Sequence, residues 1–525
     1  MSVAAAPGQG SGAARQSVAV FAVPLLGVMA GVQTADPTIA STALVESSRA
    51  LGMDAGVQAI AASISTLMLA ATVISTGLLA DRIGRKLLLM LALVASIVGG
   101  LIAAVAFDPI SYMLGRAIAG IGLGAVFAAS FAYLRAVVPA PRLPAAMGSF
   151  AAYSALTVIG ASFLGGALAD VDWRLAFLVT PVLAGLSVVA VVFVLPGEPR
   201  SGSGPADIGG QILLILGIIG VLYGISHAGR GLTEPLTWIP FVVGLVLLAA
   251  FVLVEARVRH PFFPIDIFAN PGFLAAVAIG LAFNISQAVA ILQTANIWQF
   301  VYGFQTIEVS LAQLPMTVVS VIASVLLGRW LTRGLSVPMA IILTGTATTL
   351  GFLSLALTLL SGSFWAFLPA LVLIGFGISG LVPYGALIIR LAPPEHFGVV
   401  TSSRTTIGQF GYALGLSGGV ILVNALAGDD FSRRLAEAGV PPTRLGQALD
   451  AVQQYTQSGT TPSSAEGGTA LLAGAAEAYR DGFVATAIIV AIVIAVLSAA
   501  AVILYRRWDR MQAATQSGAA SASGA

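Results

Sequence analysis

Long apolar runs separated by short polar breaks make up most of this chain. A hydrophobic run needs roughly 20 residues to cross a bilayer as a helix, so each long run predicts one membrane span. Dividing the sequence at the polar breaks predicts fourteen spans, and their even number places both ends of the chain on the same side. The predicted spans lie near residues 18–44, 57–80, 87–107, 110–136, 144–169, 174–196, 209–229, 236–256, 272–300, 309–331, 337–361, 364–391, 398–426 and 482–505.

The basic residues set the predicted orientation, because Lys and Arg concentrate in cytoplasmic loops. With the N-terminus inside, the inner loops and the C-terminal tail hold Arg82, Arg85, Lys86, Arg135, Arg142, Arg200, Arg257, Arg259, Arg329, Arg333, Arg506, Arg507 and Arg510. The outer segments hold mainly Glu46, Arg49, Asp54, Asp108, Asp170, Asp172, Arg230, Glu234 and Glu308. We therefore expect a multi-pass protein of the plasma or inner membrane with both termini in the cytoplasm.

An internal repeat supports a division into two halves. Gly120, Gly122, Arg135 and Pro139 recur as Gly375, Gly377, Arg390 and Pro394, at a constant offset of 255 residues. The expected architecture is all-α, with a six-span bundle over 18–196, a linker with two extra spans over 197–270, and a second six-span bundle over 271–506. Cytoplasmic tails cover 1–17 and 507–525. The long polar outer segment 427–481 carries two short amphipathic patterns, at Phe431 and at Leu445, that predict surface helices. The segment is either a tolerated insertion or a lid or partner contact.

Composition narrows the class of function. The chain is 58% hydrophobic and 9% charged, whereas a soluble domain carries about 25% charged residues. The net charge of +2 without a basic face argues against nucleic-acid binding. Cysteine is absent, the three histidines are far apart, and no phosphate-binding Gly-rich loop with Lys and Ser/Thr occurs. We therefore expect no metal, no cofactor and no enzymatic activity, and we expect an ion gradient to supply the energy.

Asp36 is the one acidic residue placed well inside a predicted span. A carboxylate in a membrane span is expensive and is a functional hypothesis by default, since the low dielectric favours uptake of a proton. Pro37 follows it and interrupts the backbone hydrogen bonding of the helix. The alternative is that Asp36 lies wetted at the outer mouth and serves as an anchor.

Arg116 is the cation placed deepest in a span, and it needs an acid, carbonyl groups or water as partners. Glycines at 115, 120, 122 and 124 permit close helix contact, which could bring Arg116 towards the first span. A pair of Arg116 with Asp36 that breaks on protonation would couple proton movement to conformation. The alternative is that Arg116 lies near the end of the cavity and bonds to backbone.

A short charged segment between the second and third spans, Gly77-Leu-Leu-Ala-Asp81-Arg82-Ile-Gly84-Arg85-Lys86, must form a tight turn outside the lipid. It resembles motif A of the major facilitator superfamily. That resemblance implies that Asp81 and Arg82, with Gly77, Gly84, Arg85 and Lys86, latch the two bundles together on the cytoplasmic side. The bland alternative is that the cations only anchor the loop.

Polar side chains on apolar spans predict a substrate cavity. The ninth span carries most of them, and amides facing a cavity could bind a neutral or amphiphilic ligand, although such amides also join helices. The predicted cavity residues are Gln33, Tyr153, Asn284, Gln287, Gln293, Asn296 and Gln409. Binding of a multivalent organic cation would require more negative charge than Asp36 supplies, so neutral, apolar or weakly anionic substrates are favoured.

Further motifs are similar to those of the fourteen-span drug:proton antiporter family within the superfamily. They are Asp36-x-Thr38-Ile39, Arg116-x-x-x-Gly120-x-Gly122, Asp172-Trp173-Arg174-x-x-Phe177, His260-Pro261-Phe-Phe-Pro264 and Arg404-x-x-x-x-Gln409-x-Gly411. The resemblance covers nearly the whole chain and implies proton coupling through Asp36 and Arg116. One departure concerns the fifth span, where Gly160-Ala-Ser-Phe-Leu-Gly165-Gly166 lacks the proline of the antiporter motif.

The expected function is proton-coupled export of small hydrophobic or amphiphilic compounds by alternating access, in the manner of multidrug efflux. The expected partners are a small-molecule substrate, protons and the bilayer, with the monomer as the unit. Two alternatives stay open: a proton-coupled importer or lipid translocator on the same fold, and a transporter-like membrane receptor or assembly partner that uses the outer segment.

Overall fold

The computed structural model describes residues 10–53, 55–196, 207–228, 234–258, 261, 263, 265–304, 306–358, 364–392, 397–437 and 468–523. All regular structure in these residues is helical. The α-helices are α1 (Gly10–Ala50), α2 (Ala55–Ile83), α3 (Arg85–Ala104), α4 (Pro109–Val137), α5 (Leu143–Ala169), α6 (Trp173–Ala176), α7 (Val179–Val194), α8 (Ile208–Ala228), α9 (Pro235–Glu255), α10 (Pro271–Phe300), α11 (Thr306–Ala312), α12 (Leu314–Thr332), α13 (Val337–Thr358), α14 (Phe367–Ile378), α15 (Leu381–Leu391), α16 (Phe397–Glu437) and α17 (Gly468–Ser523). Three short 3₁₀ helices cover Ala140–Arg142, Ile265–Ala269 and Phe364–Ala366.

Thirteen segments of the described chain are long and apolar enough to cross a membrane. They correspond to thirteen of the fourteen predicted spans; α6 with α7 forms the sixth, and α14 with α15 forms the twelfth. The remaining prediction is α1, which carries Gln33 and Asp36 and two internal prolines, and is not among the thirteen. The count of fourteen therefore stays a prediction.

The helices form two bundles with equivalent internal packing, one from α1–α7 and one from α10–α17. In the first, a β-carbon at Gly120 would overlap the carbonyl of Ser65 on α2, and one at Gly122 would lie 2.7 Å from the Ala92 carbonyl oxygen on α3. In the second, the repeat-related Gly375 and Gly377 approach α12 and α13 in the same way. The repeat found in the sequence thus marks the closest helix contacts of each half.

Local sequence features end and begin these helices. Gly84 lies between α2 and α3 with a φ of 93°, and Gly334 lies between α12 and α13 with a φ of 108°, a backbone region that favours glycine. Asp108 caps α4: its carboxylate accepts from the Ser111 amide at 2.6 Å, while the Ser111 hydroxyl oxygen accepts from the Asp108 amide at 3.3 Å. The Ser111 amide lowers the pKa of Asp108 below its ordinary value.

The two bundles meet along two seams. In the first, α5 packs on α12, and a β-carbon at Gly148 would overlap the carbonyl oxygen of Ser324. In the second, α2 packs on α16, where the Thr406 hydroxyl donates to the Ala70 carbonyl at 3.1 Å. These contacts lie between the middle of the bundles and the end that carries the Gly84 turn. We call that end the closed end.

The helix pair α8 and α9 lies between the bundles in sequence and packs on both of them, because α8 contacts α2 and α16. The end of α7, which precedes this pair in the chain, is held by two side chains of the first bundle. The ammonium of Lys86 donates to the carbonyls of Val192 and Leu195 at the end of α7, at 3.2 and 2.5 Å. The hydroxyl of Tyr133 donates to the Pro196 carbonyl.

The predicted outer segment is partly helical. The structure continues α16 through 427–437 and begins α17 at 468, so the pattern at Phe431 extends a membrane helix instead of forming a separate surface helix. Residues 438–467, including the second amphipathic pattern near Leu445, lie outside the described part of the chain. Arg434 joins the two extensions through Glu477 at 3.0 Å and Asp481 at 2.6 Å. Helices α1 and α17 also extend into the predicted tails.

Candidate functional site

Four helices of the first bundle converge on Asp36, the buried acid of α1. Arg116 reaches it from α4, Thr180 from α7 and Ser65 from α2. The close approach of Gly120 to Ser65 holds α2 against α4 beside the site. The side chains of Arg116 and Asp36 are 2% and 4% exposed, so both charges are withdrawn from water.

The carboxylate accepts four hydrogen bonds. The two terminal nitrogens of Arg116 donate in bidentate fashion, Nη1 to Oδ1 at 3.0 Å and Nη2 to Oδ2 at 2.7 Å. The Thr180 hydroxyl donates to Oδ1 at 3.0 Å, and the Ser65 hydroxyl approaches Oδ2 at 3.4 Å. The contact predicted between Asp36 and Arg116 is therefore present, and the wetted outer position considered for Asp36 does not occur in this structure.

The rest of the Arg116 environment is aromatic. Its guanidinium carbon lies 5.4 Å from the centroid of the Phe177 ring, and Phe177 packs edge-on against Tyr112, one turn before Arg116 on α4. The repeat-related position in the second bundle is Leu371, which is fully buried. The charged pair is thus a feature of the first bundle, added to a packing scheme that both halves share.

The two charges of this arrangement depend on each other. A buried ion pair holds because each charge compensates the other, and removal of one partner leaves an uncompensated charge that costs several kcal/mol, about 3–5 in measured cases.

The residues of the segment that resembles motif A have different structural roles. Gly77 is buried in α2, and Gly84 makes the turn before α3. Lys86 binds carbonyls of its own bundle at the end of α7. Arg82 and Arg85 are half-buried at the closed end, and the side chain of Asp81 lies outside what the structure describes. The latch across the bundles stays a prediction.

Two predicted cavity residues belong to the first bundle. Gln33 lies one turn before Asp36 on α1 and is 5% exposed, with its amide oxygen 3.3 Å from the Thr34 hydroxyl. Tyr153 on α5 is 40% exposed and packs its β-carbon against Gly27 of α1. Exposed hydroxyl residues of α1, Thr34 and Thr38, lie on the same stretch of helix as Gln33.

The predicted amides of the second bundle lie largely between helices. Asn284 donates to the Gly280 carbonyl of its own helix and packs against Gly408 and Gly411 of α16. Gln293 is 1% exposed and accepts from the Tyr479 hydroxyl of α17 at 3.4 Å.

The other three amide residues are half-buried: Gln287 and Asn296 on α10, and Gln409 on α16. Tyr479 also interacts with Asn296. The helix-joining role left open from the sequence therefore fits Asn284 and Gln293.

The sequence did not identify two hydrogen-bond partners of Asp36, nor the aromatic surroundings of Arg404. Thr180 interrupts an apolar run, and Ser65 is one of several hydroxyl residues on α2, so each is visible in the sequence as a polar position. The sequence does not show that either of them contacts Asp36. In the sequence, Arg404 was noted only as part of a motif similar to that of the family. The structure shows that it is 3% exposed and surrounded by aromatic rings. No cluster of acidic or histidine side chains fit for a metal ion occurs among the described residues.

The model of the Major Facilitator Superfamily matches residues 26–416. The chain belongs to this superfamily. It is 25% identical over 461 residues to multidrug resistance protein 3 of Bacillus subtilis (strain 168), covering 85% of this chain and 88% of that protein. It is 26% identical over 443 residues to puromycin resistance protein pur8 of Streptomyces alboniger, covering 81% and 84%.

Among solved structures, the chain is similar to the proton:xylose symporter XylE bound to 6-bromo-6-deoxy-D-glucose. The TM-score is 0.55 at 11% identity, with 91% of this chain and 94% of that chain covered. This likeness confirms the major facilitator fold. Membership of the superfamily also confirms the prediction of a multi-pass membrane transporter of small molecules instead of an enzyme.

Proposed function

We propose that this major facilitator transporter exports small hydrophobic or amphiphilic compounds in exchange for protons. Relatives that match over more than four-fifths of their length carry the names multidrug resistance and puromycin resistance protein, which supports export of toxic compounds. The single observation that carries proton exchange is the buried bidentate pair of Arg116 with Asp36.

The proposed cycle uses the charge state of Asp36. A proton that enters from outside neutralises the carboxylate and removes the compensation for the Arg116 charge. The helices around the pair then shift and the bundles rock to the inward-facing state. There the proton is released to the cytoplasm, which restores the pair, and substrate binds. The bundles then rock back, and the substrate leaves on the outside.

The conformation fits one stage of that cycle. Under the orientation predicted from Arg and Lys, the closed end faces the cytoplasm, so the bundles are in contact on the cytoplasmic side. We assign this structure to the outward-facing, substrate-releasing side of the cycle, with Asp36 ionised and paired. The proposed setting is the plasma or inner membrane, with both termini in the cytoplasm and the monomer as the working unit.

Reconstitution into liposomes tests this proposal. A pH gradient should drive efflux of a fluorescent substrate by the wild-type protein, and Asp36→Asn should abolish that gradient-driven efflux. The matched control is Asp170→Asn, which removes an exposed acid at the end of α5 and should pump as the wild type. Normal pumping by Asp36→Asn would exclude the coupling mechanism.

The missing proline in the fifth span motivates one rival, a proton-coupled importer on the same fold. The direction of transport distinguishes the exporter from the importer. Cells that carry an exporter survive higher doses of its toxic substrates, whereas cells that carry an importer become more sensitive. A susceptibility screen with and without the protein therefore tests both substrate range and direction.

A further inference from the structure

Arg404 of α16 is a second buried cation, and its environment differs from that of Arg116. It is 3% exposed, and its guanidinium carbon lies 4.3 Å from the ring centroid of Phe131, 5.3 Å from that of Phe127 and 5.3 Å from that of Tyr384. The guanidinium makes no hydrogen bond or ion pair with any described residue, and its Nε is buried without an acceptor. Aromatic faces attract a cation but do not neutralise it.

The position of Arg404 places it at the seam between the bundles. Phe127 and Phe131 belong to α4 of the first bundle, whereas Tyr384 belongs to α15 of the second. The hydroxyl of Tyr384 donates to the Arg404 carbonyl at 2.9 Å and fixes the backbone of α16 there. When the bundles separate at the closed end, the rings of α4 must leave the guanidinium, which then faces the opening.

The buried charges of the two bundles add up to a positive interior. Among the described residues of both bundles, the charged side chains in the buried class are Asp36, Arg116 and Arg404. Asp36 and Arg116 compensate each other, so Arg404 leaves one net positive charge, and protonation of Asp36 raises this to two. A site with this balance attracts an anion and repels a cation.

We propose that Arg404 binds the anionic group of the substrate when the closed end opens, while Phe127 and Phe131 receive the aromatic or apolar body. A carboxylate or sulfonate on an aromatic amphiphile fits both parts, since guanidinium pairs with oxyanions in bidentate geometry. This inference rests on the proposed export function, in which substrate is loaded from the end that is closed here.

Helix α4 contributes to both the anion site and the proton site, at different positions along its length. Phe127 follows Arg116 by eleven residues on α4, which is about 16 Å along the helix axis. A substrate at Arg404 therefore does not need to displace Asp36 from Arg116. Both sites contact α4, so a movement of α4 when the bundles separate affects both of them.

One fluorophore with three charges tests the proposal by binding alone. Dansylglycine carries a carboxylate, dansylglycinamide is its uncharged analogue, and dansylcadaverine carries an ammonium. Binding of each to the purified protein in lipid nanodiscs is followed by dansyl fluorescence, with empty nanodiscs as the blank. The wild type should bind dansylglycine at least ten times more tightly than dansylglycinamide, and dansylcadaverine more weakly than either.

The variants then assign that preference to Arg404. Arg404→Gln should lose at least tenfold in dansylglycine affinity while dansylglycinamide stays within twofold. Arg404→Lys keeps the charge and should keep most of the preference for the carboxylate, which also provides a folded variant should the glutamine variant not express. Arg329→Gln, which removes an exposed cation at the end of α12, should bind all three probes as the wild type does.

Two results would overturn the proposal: a wild type without preference for the carboxylate, or an Arg404→Gln variant in which both dansylglycine and dansylglycinamide weaken equally. Equal weakening would show that Arg404 acts through the packing of the seam. Binding needs no pH gradient, so this test is independent of the Asp36→Asn efflux assay. A charge preference lost in Arg404→Gln stands whether or not transport uses protons.

Discussion

At the scale of single residues, Asp36 and Arg116 form a unit whose members depend on each other. Each is almost fully buried, and the pair is surrounded by Phe177 and two hydroxyl groups instead of water. Removing one charge therefore costs more than removing both, since a neutral pair of amides can hydrogen-bond without a buried net charge.

Arg116→Gln should destabilise the protein by about 3–5 kcal/mol, because it leaves the carboxylate of Asp36 buried without a cation. The double variant Asp36→Asn/Arg116→Gln should recover most of that loss. Thermal unfolding in detergent, read as a double-mutant cycle, measures the difference. Strictly additive effects of the two single changes would contradict the description of the pair as a unit.

Thr180→Val should cost less than the loss of Arg116, since it removes one hydrogen bond to a charged acceptor, about 1.5–3 kcal/mol. The side chains have nearly the same shape, so the packing of α7 is preserved. The control is Ser187→Ala, which removes a buried hydroxyl on α7 that bonds to its own helix. An unfolding temperature equal to that of the control would show that Thr180 does not support the pair.

The sequence singled out both members of this pair but not their surroundings. A charged residue inside an apolar run is visible in a single sequence because membrane burial makes it costly. Thr180 and Ser65 carry no such signal, since hydroxyls are common in membrane helices and are often satisfied by their own backbone. Arg404 carried a visible charge, but its aromatic partners come from α4 and α15, and one sequence does not show which helices meet.

At the scale of helices, the repeat-related glycines determine how closely helices approach. Gly120 and Gly375 each touch the backbone of the second membrane span of their bundle, which is α2 in the first and α12 in the second. A backbone atom cannot move aside as a flexible side chain can, so any β-carbon there must push two helices apart. The offset of 255 residues predicted this equivalence from the sequence, because each half needs the same close contact.

Gly120→Ala and Gly375→Ala should both lower stability, by about 1–3 kcal/mol each, as overpacking does in well-packed interiors. Gly185→Ala is the matched control on α7, where a β-carbon meets no atom within 4 Å. Unfolding temperatures of the three purified variants measure the effect. A control that suffers as much as the two repeat-related variants would show that helix propensity or expression, and not contact, explains the loss.

The bounds of the helices were the part that the sequence predicted least well. Predicted spans stop where charges appear, but α16 continues through Asp430 to Glu437 and α17 runs on to Ser523. A helix does not end where it leaves the lipid if its charged residues find partners. Arg434 supplies such partners by joining α16 to Glu477 and Asp481 on α17.

At the scale of the whole molecule, the two bundles are in contact along the seams at the closed end. Gly148 meets Ser324, and Gly385 meets Met147 and Phe131, so small residues allow the bundles to touch directly. The fold class and the two-bundle plan followed from hydropathy and the repeat. The state of closure did not, since one sequence encodes every conformation in the cycle.

Crosslinking across the seam should arrest transport. The chain has no cysteine, so Met147→Cys/Gly385→Cys can be made without removing other thiols. A short, reducible bifunctional thiol reagent should join the two sites and stop efflux, and reduction should restore it. Each single-cysteine variant, treated in the same way, is the control. Undiminished efflux by fully crosslinked protein would exclude separation of the bundles at this end.

The helix pair α8 and α9 has a mechanical consequence. Helix α8 contacts both α2 and α16, so it lies across the seam where these helices of opposite bundles meet. If α8 holds the seam between α2 and α16 together, the bundles separate most at the other seam. We therefore expect the gap between α5 and α12 to widen first and furthest, and substrate to enter sideways along that edge.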